Sequence, residues 1–293
     1  MIQILRGYSL ALGTLASVLA LAYPPIYVLA GLLLWGFALA SFSKLATRSL
    51  VQSSILIVIG IISLGYSVLE GAHTSIAALI NSNTKLLAML AAVSFLSLIA
   101  TPSKNSKKRS APKGKKGLVS TLASGHFFSA IINISALLII AERLSHARKI
   151  DIRTASLLTT NFAVCALWSP FFAAMAYTLS LVPGMDMLTV MAVGAPMGLI
   201  SLAFLYWQNQ APEAQLSGYP LKGRSLVLPS LLAVAVIVAH ELWPHLAITQ
   251  IIAISAPLLV VTVLGYEGRL AQIHSHISNR LAHMHNETML FLA

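Results

Sequence analysis

The sequence predicts an all-α, polytopic membrane protein with about eight transmembrane helices and one re-entrant helical hairpin. Three observations carry that expectation. Of 293 residues, 57% are hydrophobic and 9% are charged, against about 25% charged in soluble domains. The mean hydropathy is +0.83. Every Asp, Glu, Lys and Arg falls outside nine apolar stretches, the segregation expected of membrane spans.

Those stretches are Tyr8 to Ala22, Ile26 to Phe42, Leu50 to Leu69, Leu86 to Ala100, Leu118 to Ala141, Thr154 to Leu181, Met187 to Trp207, Ser225 to Ala239 and Leu246 to Tyr266. Lipid offers the backbone no hydrogen-bond partner, so each is expected to be helical. Residues 1–100 then form a four-helix membrane segment. Arg6, the following apolar run and Ala20-Leu21-Ala22 also fit a cleaved signal peptide.

Residues 101–117 hold Lys104, Lys107, Lys108, Arg109, Lys113, Lys115 and Lys116 among Ser, Pro and Gly. Such a composition forms no core and reads as a cytoplasmic linker. Lys and Arg favour short cytoplasmic loops, so the net charge of +11 signals orientation and not nucleic-acid binding. Counting back across four spans places Arg6, and hence the amino terminus, in the cytoplasm.

Counting forward exposes a conflict. If Leu118 to Ala141 crosses once, ten basic residues lie inside and nine outside; if it enters and leaves on the cytoplasmic side, eighteen lie inside and only Lys85 outside. The second arrangement obeys the charge rule. A hairpin is therefore expected, bent around Ser124 to Asn133, where Ser124, Gly125, His126, Ser129 and Asn133 interrupt the apolar run. Bare peptide groups at membrane depth need protein or a wet cavity around them.

Thr154 to Leu181 carries Thr159, Thr160 and Asn161 near one end and Trp168, Ser169 and Pro170 near its middle. Pro170 removes a donor and clashes with the preceding turn, so the helix is expected to break there and free carbonyls near residues 166 and 167. Freed carbonyls bind cations or substrates in transporters; a plain kink is the other reading. Residues 118–207 thus comprise the hairpin, the broken helix and the next span, and 208–266 two further spans.

Residues 267–293 place Leu270, Ile273, Ile277, Leu281 and Met284 at helical spacing. They predict an amphipathic interfacial helix, followed by the opening of another span at Glu287 to Ala293. His274, His276, His283 and His285 have no i, i+3 or i, i+4 pair, so no metal site is expected. Cys165, the single cysteine, reads as packing. Trp207 and Trp243 read as interfacial anchors and Trp35 as packing.

No Walker loop, HExxH or GxSxG occurs, and no catalytic residues or cofactors are expected. The functional expectation is a permease of the cell inner membrane, moving a small solute. A scaffold or a permease subunit served by a separate ATPase is the alternative; an intramembrane enzyme would have to rely on His126, Cys165 and hydroxyls. Charged groups at membrane depth are functional by default, and none occurs in the apolar stretches. If transport is ion-coupled, sodium held by carbonyls and hydroxyls is therefore the expected partner ion.

The layout of four spans, a cytoplasmic re-entrant hairpin and a broken helix resembles the amino-terminal half of the ion transporter superfamily, which includes divalent anion/sodium symporters and arsenite permeases. That resemblance implies a substrate and ion site made by the hairpin tip, Ser124 to Asn133, and the break, Thr159 to Pro170. The hairpin lacks the Ser-Asn-Thr signature and Pro-rich tip of the symporters. The family also carries a second, inverted repeat. The chain accordingly reads either as a fragment of a longer transporter or as an eight-span protein completed by a partner or a homodimer.

Overall fold

The structure is a computed structural model that describes residues 2–73, 75–100, 112–145, 149–182, 184–210, 218–219 and 223–293. Most of the basic linker, Arg148 and Lys222 lie outside the described residues. The elements are α1 (Ile2–Leu19), α2 (Ile26–Ala40), α3 (Thr47–Leu69), α4 (Ile76–Asn81), α5 (Thr84–Ser94), α6 (Ser97–Ala100), α7 (Gly114–Ile132), α8 (Ile134–Ser145), α9 (Ile152–Val164), α10 (Ala173–Leu181), α11 (Met187–Gln208), α12 (Gly223–Leu242), α13 (Ile248–Tyr266), α14 (Ala271–Ser275) and α15 (His285–Leu292). No strand occurs among the described residues.

All nine apolar stretches are mostly helical, with interruptions at Asn133 and at residues 168–172. Among the described residues five helices are long and apolar enough to cross a membrane: Ile2–Leu19, Thr47–Leu69, Ile76–Ile99, Met187–Gln208 and Ile248–Tyr266. Ile26–Ala40, Ile152–Leu167 and Ser230–Leu242 are shorter apolar helices. The fourth stretch begins earlier than expected, at Ile76, because α4 and α5 continue one another past Ser82 and Asn83. In α3 only Ser53 is buried, while Ile55, Ile59, Ile62 and Tyr66 are exposed. A helix so apolar on every face is suited to lipid.

The chain divides into two compact units, Met1–Phe95 with Val261–Ala293, and Leu96–Val260. In the first, α1 and α2 run antiparallel: Ser9 Oγ donates to the Leu33 carbonyl at 2.8 Å, and Gly13 lies against Leu34 and the Ala30 carbonyl. The carboxy-terminal segment packs into this unit. Gln3 Nε2 donates to the Ser278 carbonyl at 3.3 Å, and Tyr8 meets His274 Nδ1 at 2.7 Å. Asn83 Nδ2 donates to the Phe291 carbonyl at 2.6 Å.

That packing corrects the expectation for residues 267–293. The segment is α14, a π-helical stretch His276–Arg280, a 3-10 turn and α15, with His276, Ser278, Leu281, Ala282, Thr288 and Met289 all buried. Instead of one amphipathic helix with a polar face, it is a broken path whose histidines are shared between core and surface. The carboxyl end is a short helix packed against α2 and α3.

In the second unit α7 and α8 form a helical hairpin. Ile140 Cδ1 lies 3.8 Å from the position a Cβ on Gly125 would take, although a continuous helix would hold the two residues about 22 Å apart at about 1.5 Å per residue. The reversal falls at Asn133 (φ 58°), the one non-glycine residue with positive φ among those described. It therefore sits at the far end of the expected bend. Ser124, Gly125, His126 and Ser129 are helical residues of the first arm.

The rest of the unit follows from that reversal. Arg143, near the end of α8, lies 5.4 Å from the Tyr219 ring, and the Tyr219 N–H donates to Thr121 Oγ1 at 2.9 Å near the start of α7. Arg153, in the first turn of α9, donates to Asn209 Oδ1 at 3.2 Å beyond the end of α11. Both arms of the hairpin, the start of α9 and the end of α11 thus meet at one end, with Lys113, Lys115, Lys116, Arg143 and Arg153. At the opposite end Asp186 caps α11 and lies near His240 of α12. The Thr189 hydroxyl and N–H, and to a smaller degree His240, hold the Asp186 carboxyl below its usual pKa.

Candidate functional site

Proline ends α9 where the residue pattern predicts. A 3-10 turn, Cys165–Leu167, follows Val164, and residues 168–172 are non-helical before α10 begins. What holds this break is a ladder of three hydrogen bonds to the first hairpin arm. Asn161 Nδ2 donates to the Leu122 carbonyl at 3.0 Å, the Cys165 thiol to the His126 carbonyl at 3.2 Å, and Ser169 Oγ to the Ala130 carbonyl.

Donors and acceptors both advance by four residues, one helical turn. The register makes α7 and α9 parallel, as they must be once α8 has carried the chain back. Gly125 makes the approach feasible, because a Cβ there would come within 2.6 Å of Asn161 Nδ2.

His126 is 8% exposed and uses both ring nitrogens. Trp168 Nε1–H donates to Nε2 at 2.9 Å, and Cys165 Sγ lies 3.3 Å from Nδ1. Indole N–H is a donor only, so Nε2 accepts and the neutral imidazole carries its proton on Nδ1, directed at the sulfur. Asn133 ties the apex to the break: its Nδ2 donates to the Phe171 carbonyl at 3.3 Å, and its Oδ1 accepts from the Ile134 N–H at 2.8 Å. Ser169 Oγ also accepts from the Phe171 N–H at 3.2 Å.

Helix α11 closes the other side. A Cβ on Gly194 would lie 1.9 Å from the Leu167 carbonyl oxygen, and one on Gly198 would lie 3.2 Å from Trp168 Cδ1 and 3.9 Å from His126 Nε2. The Leu167 carbonyl, expected to be free beside the proline, thus rests against the bare backbone of Gly194.

Of the expected site residues, Gly125, His126, Asn133, Asn161, Trp168 and Ser169 meet in this arrangement, with Pro170 buried in the break. Ser124 and Ser129 are buried on α7. Ser124 Oγ is enclosed without a protein hydrogen-bond partner, at a cost of about 1 to 3 kcal/mol unless a small polar molecule satisfies it, and the Asn161 side chain also faces the His126 ring.

The run Thr159-Thr160-Asn161 divides. Thr159 bonds back to the Ala155 carbonyl at 2.9 Å on an exposed face, and only Asn161 reaches the ladder. Thr160 lines a groove of about 960 Å³ between α9 and α11, together with Arg153, Ser156, Ser201 and Gln208.

Cys165, expected only to pack, is the middle rung, and Gly194 and Gly198 join the site beyond the expected residues. Their G-x-x-x-G spacing, Gly194-Ala195-Pro196-Met197-Gly198, is the signal that finds them, because small residues four apart let membrane helices approach closely. Comparison with protein-family models, with curated proteins and with solved structures returns no match.

Proposed function

We propose that this protein is a secondary transporter of the cell membrane, moving a small anionic solute through a site between the hairpin α7–α8 and the break in α9–α10. One observation carries the reading: a helical hairpin bound, rung by rung, to a helix interrupted at mid-length. Interrupted backbone at membrane depth is found where protein buries it or where it lines a cavity, and transporters build substrate sites at such breaks.

The lengths support re-entrance. Helix α8 has 12 residues, about 18 Å of rise, which falls short of a hydrocarbon core of about 30 Å. That length favours a returning arm that does not cross. The charges support the orientation: the basic residues gather at the end where the hairpin opens, and Asp186 and Glu241 lie at the other. That end is assigned to the cytoplasm. The layout keeps its resemblance to the amino-terminal half of the ion transporter superfamily, and the buried, unpaired Ser124 Oγ supplies a neutral contact for a solute.

Two measurements test the reading. Lys115→Cys, Ser145→Cys and Asp186→Cys variants, labelled in sealed vesicles with a membrane-impermeant maleimide, are expected to react from one side for the first two and from the other for the third. Opposite sides for Lys115→Cys and Ser145→Cys would end the hairpin assignment. Uptake of radiolabelled dicarboxylates and oxyanions into proteoliposomes then tests transport, with Ser169→Ala expected to reduce it.

A further inference from the structure

We infer that His126 binds a proton together with the transported anion, so that the pair occupies the site as one electrically neutral unit. This rests on the transport reading for movement across the membrane, but not for the linked binding.

The argument starts from the Trp168–His126 contact. Trp168 can only donate, so the 2.9 Å bond exists only while Nε2 is bare. A proton arriving from solution at Nε2 turns the acceptor into a second donor. Two N–H groups then face each other, the bond breaks, and both hydrogens need an acceptor between them. An anion bridging Trp168 Nε1–H and His126 Nε2–H satisfies both with charge-assisted bonds. Trp168 sits on the interrupted stretch, outside any helix, and packs on Gly198; admitting the anion requires its indole to turn.

Charge balance demands the same partner. Among the described residues, the elements packed against α7 offer His126 no counter-charge at its depth. Its neighbours are Asn161 of α9, Cys165 and Trp168 from the break and Gly198 from α11, and Asn161 offers the ring neutral oxygens but no charge. Cys165 already engages carbonyl oxygens. Helix α8 carries Glu142 and Arg143 in its last turn, α9 has Asp151 and Arg153 at its start, and α12 has His240 and Glu241 at its far end.

An unpaired imidazolium in that position is costly. The missing carboxylate must come from the ligand. The lack of Asp and Glu in the apolar stretches therefore favours a proton carried with its own anion. Proton and anion affinities then rise together by one common factor.

The test uses the purified full chain in weakly buffered detergent with a pH-indicating dye, titrated with sulfate, succinate and chloride. At least one of these probes is expected to draw protons from solution, approaching one per bound anion. His126→Gln is expected to abolish that uptake. Trp168→Phe keeps the aromatic packing, removes the donor, moves the half-uptake point to higher pH and weakens the anion several-fold.

No proton uptake by the wild-type protein with any of the three anions overturns the inference, as does uptake that persists in His126→Gln. If His126→Gln fails to fold, the pH displacement in Trp168→Phe decides alone, and its absence overturns the inference. In proteoliposomes, sodium-driven uptake indifferent to a proton gradient overturns the proton–anion pair and leaves transport standing. Linked proton uptake in detergent without vesicle transport supports the pair and removes the transport reading.

Discussion

Each compact unit buries one histidine among the described residues, His276 in the first and His126 in the second, and their partners give them opposite characters. Ser94 Oγ donates to the Ala91 carbonyl at 2.6 Å and lies 3.0 Å from His276 Nε2. With its own hydrogen committed, that hydroxyl accepts, so Nε2 of His276 carries the proton. At His126 the same nitrogen faces a pure donor and is bare. Charging His276 leaves its hydrogen bond intact, whereas charging His126 breaks one. The lesson is that the partner's chemistry, and not burial alone, decides whether charging a buried histidine breaks its hydrogen bond.

The sharpest way to break this contrast is to disturb the backbone on which the His126–Trp168 pair rests. Gly194→Ala places a methyl 1.9 Å from the Leu167 carbonyl oxygen. Backbone cannot yield as a side chain can, so the cost is about 3 kcal/mol or more, expected as a large fall in detergent melting temperature and loss of transport. Gly60→Ala, in α3 of the other unit, meets nothing within 4 Å and is expected to be neutral or to gain up to about 1 kcal/mol from helix propensity. Equal behaviour of the two variants would mean that α11 does not pack on the break.

The legible and illegible parts of the site separate along a physical line. The all-helical character, the helical reversal between α7 and α8 and the break at Pro170 are readable, because hydropathy, loop charge and a missing N–H are properties of residue type. The bend was placed too broadly. Ser124, His126 and Ser129 look like turn residues in an apolar run, yet a polar group in a membrane helix is equally well placed facing a neighbouring helix.

The ladder was hidden because all three acceptors are backbone carbonyls, which no residue type announces. Half of it was in view, since Asn161, Cys165 and Ser169 repeat every four residues. At the carboxyl end, helical spacing of apolar residues predicted one continuous helix, and burial of His276 against Phe95, ring centroids 4.6 Å apart, went with a π-helical stretch instead.

A second prediction concerns acid. Burial, with a smaller contribution from the Arg280 charge, lowers the His276 pKa from 6.5 to about 4. The folded pKa is thus below the unfolded one, and between them the unfolded chain binds more protons. Stability is therefore fully present above about pH 6.5 and is lost as pH falls toward 4. At about 1.4 kcal/mol per pKa unit the loss is on the order of 3 kcal/mol. The melting temperature should decline across that window, and His276→Gln should flatten the decline. An unchanged slope in that variant would place the acid sensitivity elsewhere.

The ladder comes next in size. Asn161→Ala and Ser169→Ala each remove a buried donor and leave a carbonyl unpaired, at a cost of about 1 to 3 kcal/mol. The two rungs share α7 and the break, so their effects should not add. A double-mutant cycle of melting free energies is expected to show coupling of about 0.5 kcal/mol or more, and strict additivity would mean that the rungs hold the break independently.

The smallest effect separates what Asn133 does with its backbone from what it does with its side chain. Its positive φ, with ψ at −143°, is a conformation glycine adopts freely and other residues adopt at about 1 to 3 kcal/mol. Its side chain repays this through the bonds to Phe171 and Ile134, each worth about 0.5 to 1.5 kcal/mol. Asn133→Gly relieves the strain and loses both bonds, so its melting temperature should stay close to the wild type. Asn133→Ala keeps the strain, loses the same bonds and should fall by roughly 2 kcal/mol. The stability gap between the two variants reports the backbone alone, and the glycine variant, folded but without its tether to Phe171, isolates what the clamp contributes to transport. A glycine variant as unstable as the alanine one would mean that the turn is not what calls for an asparagine.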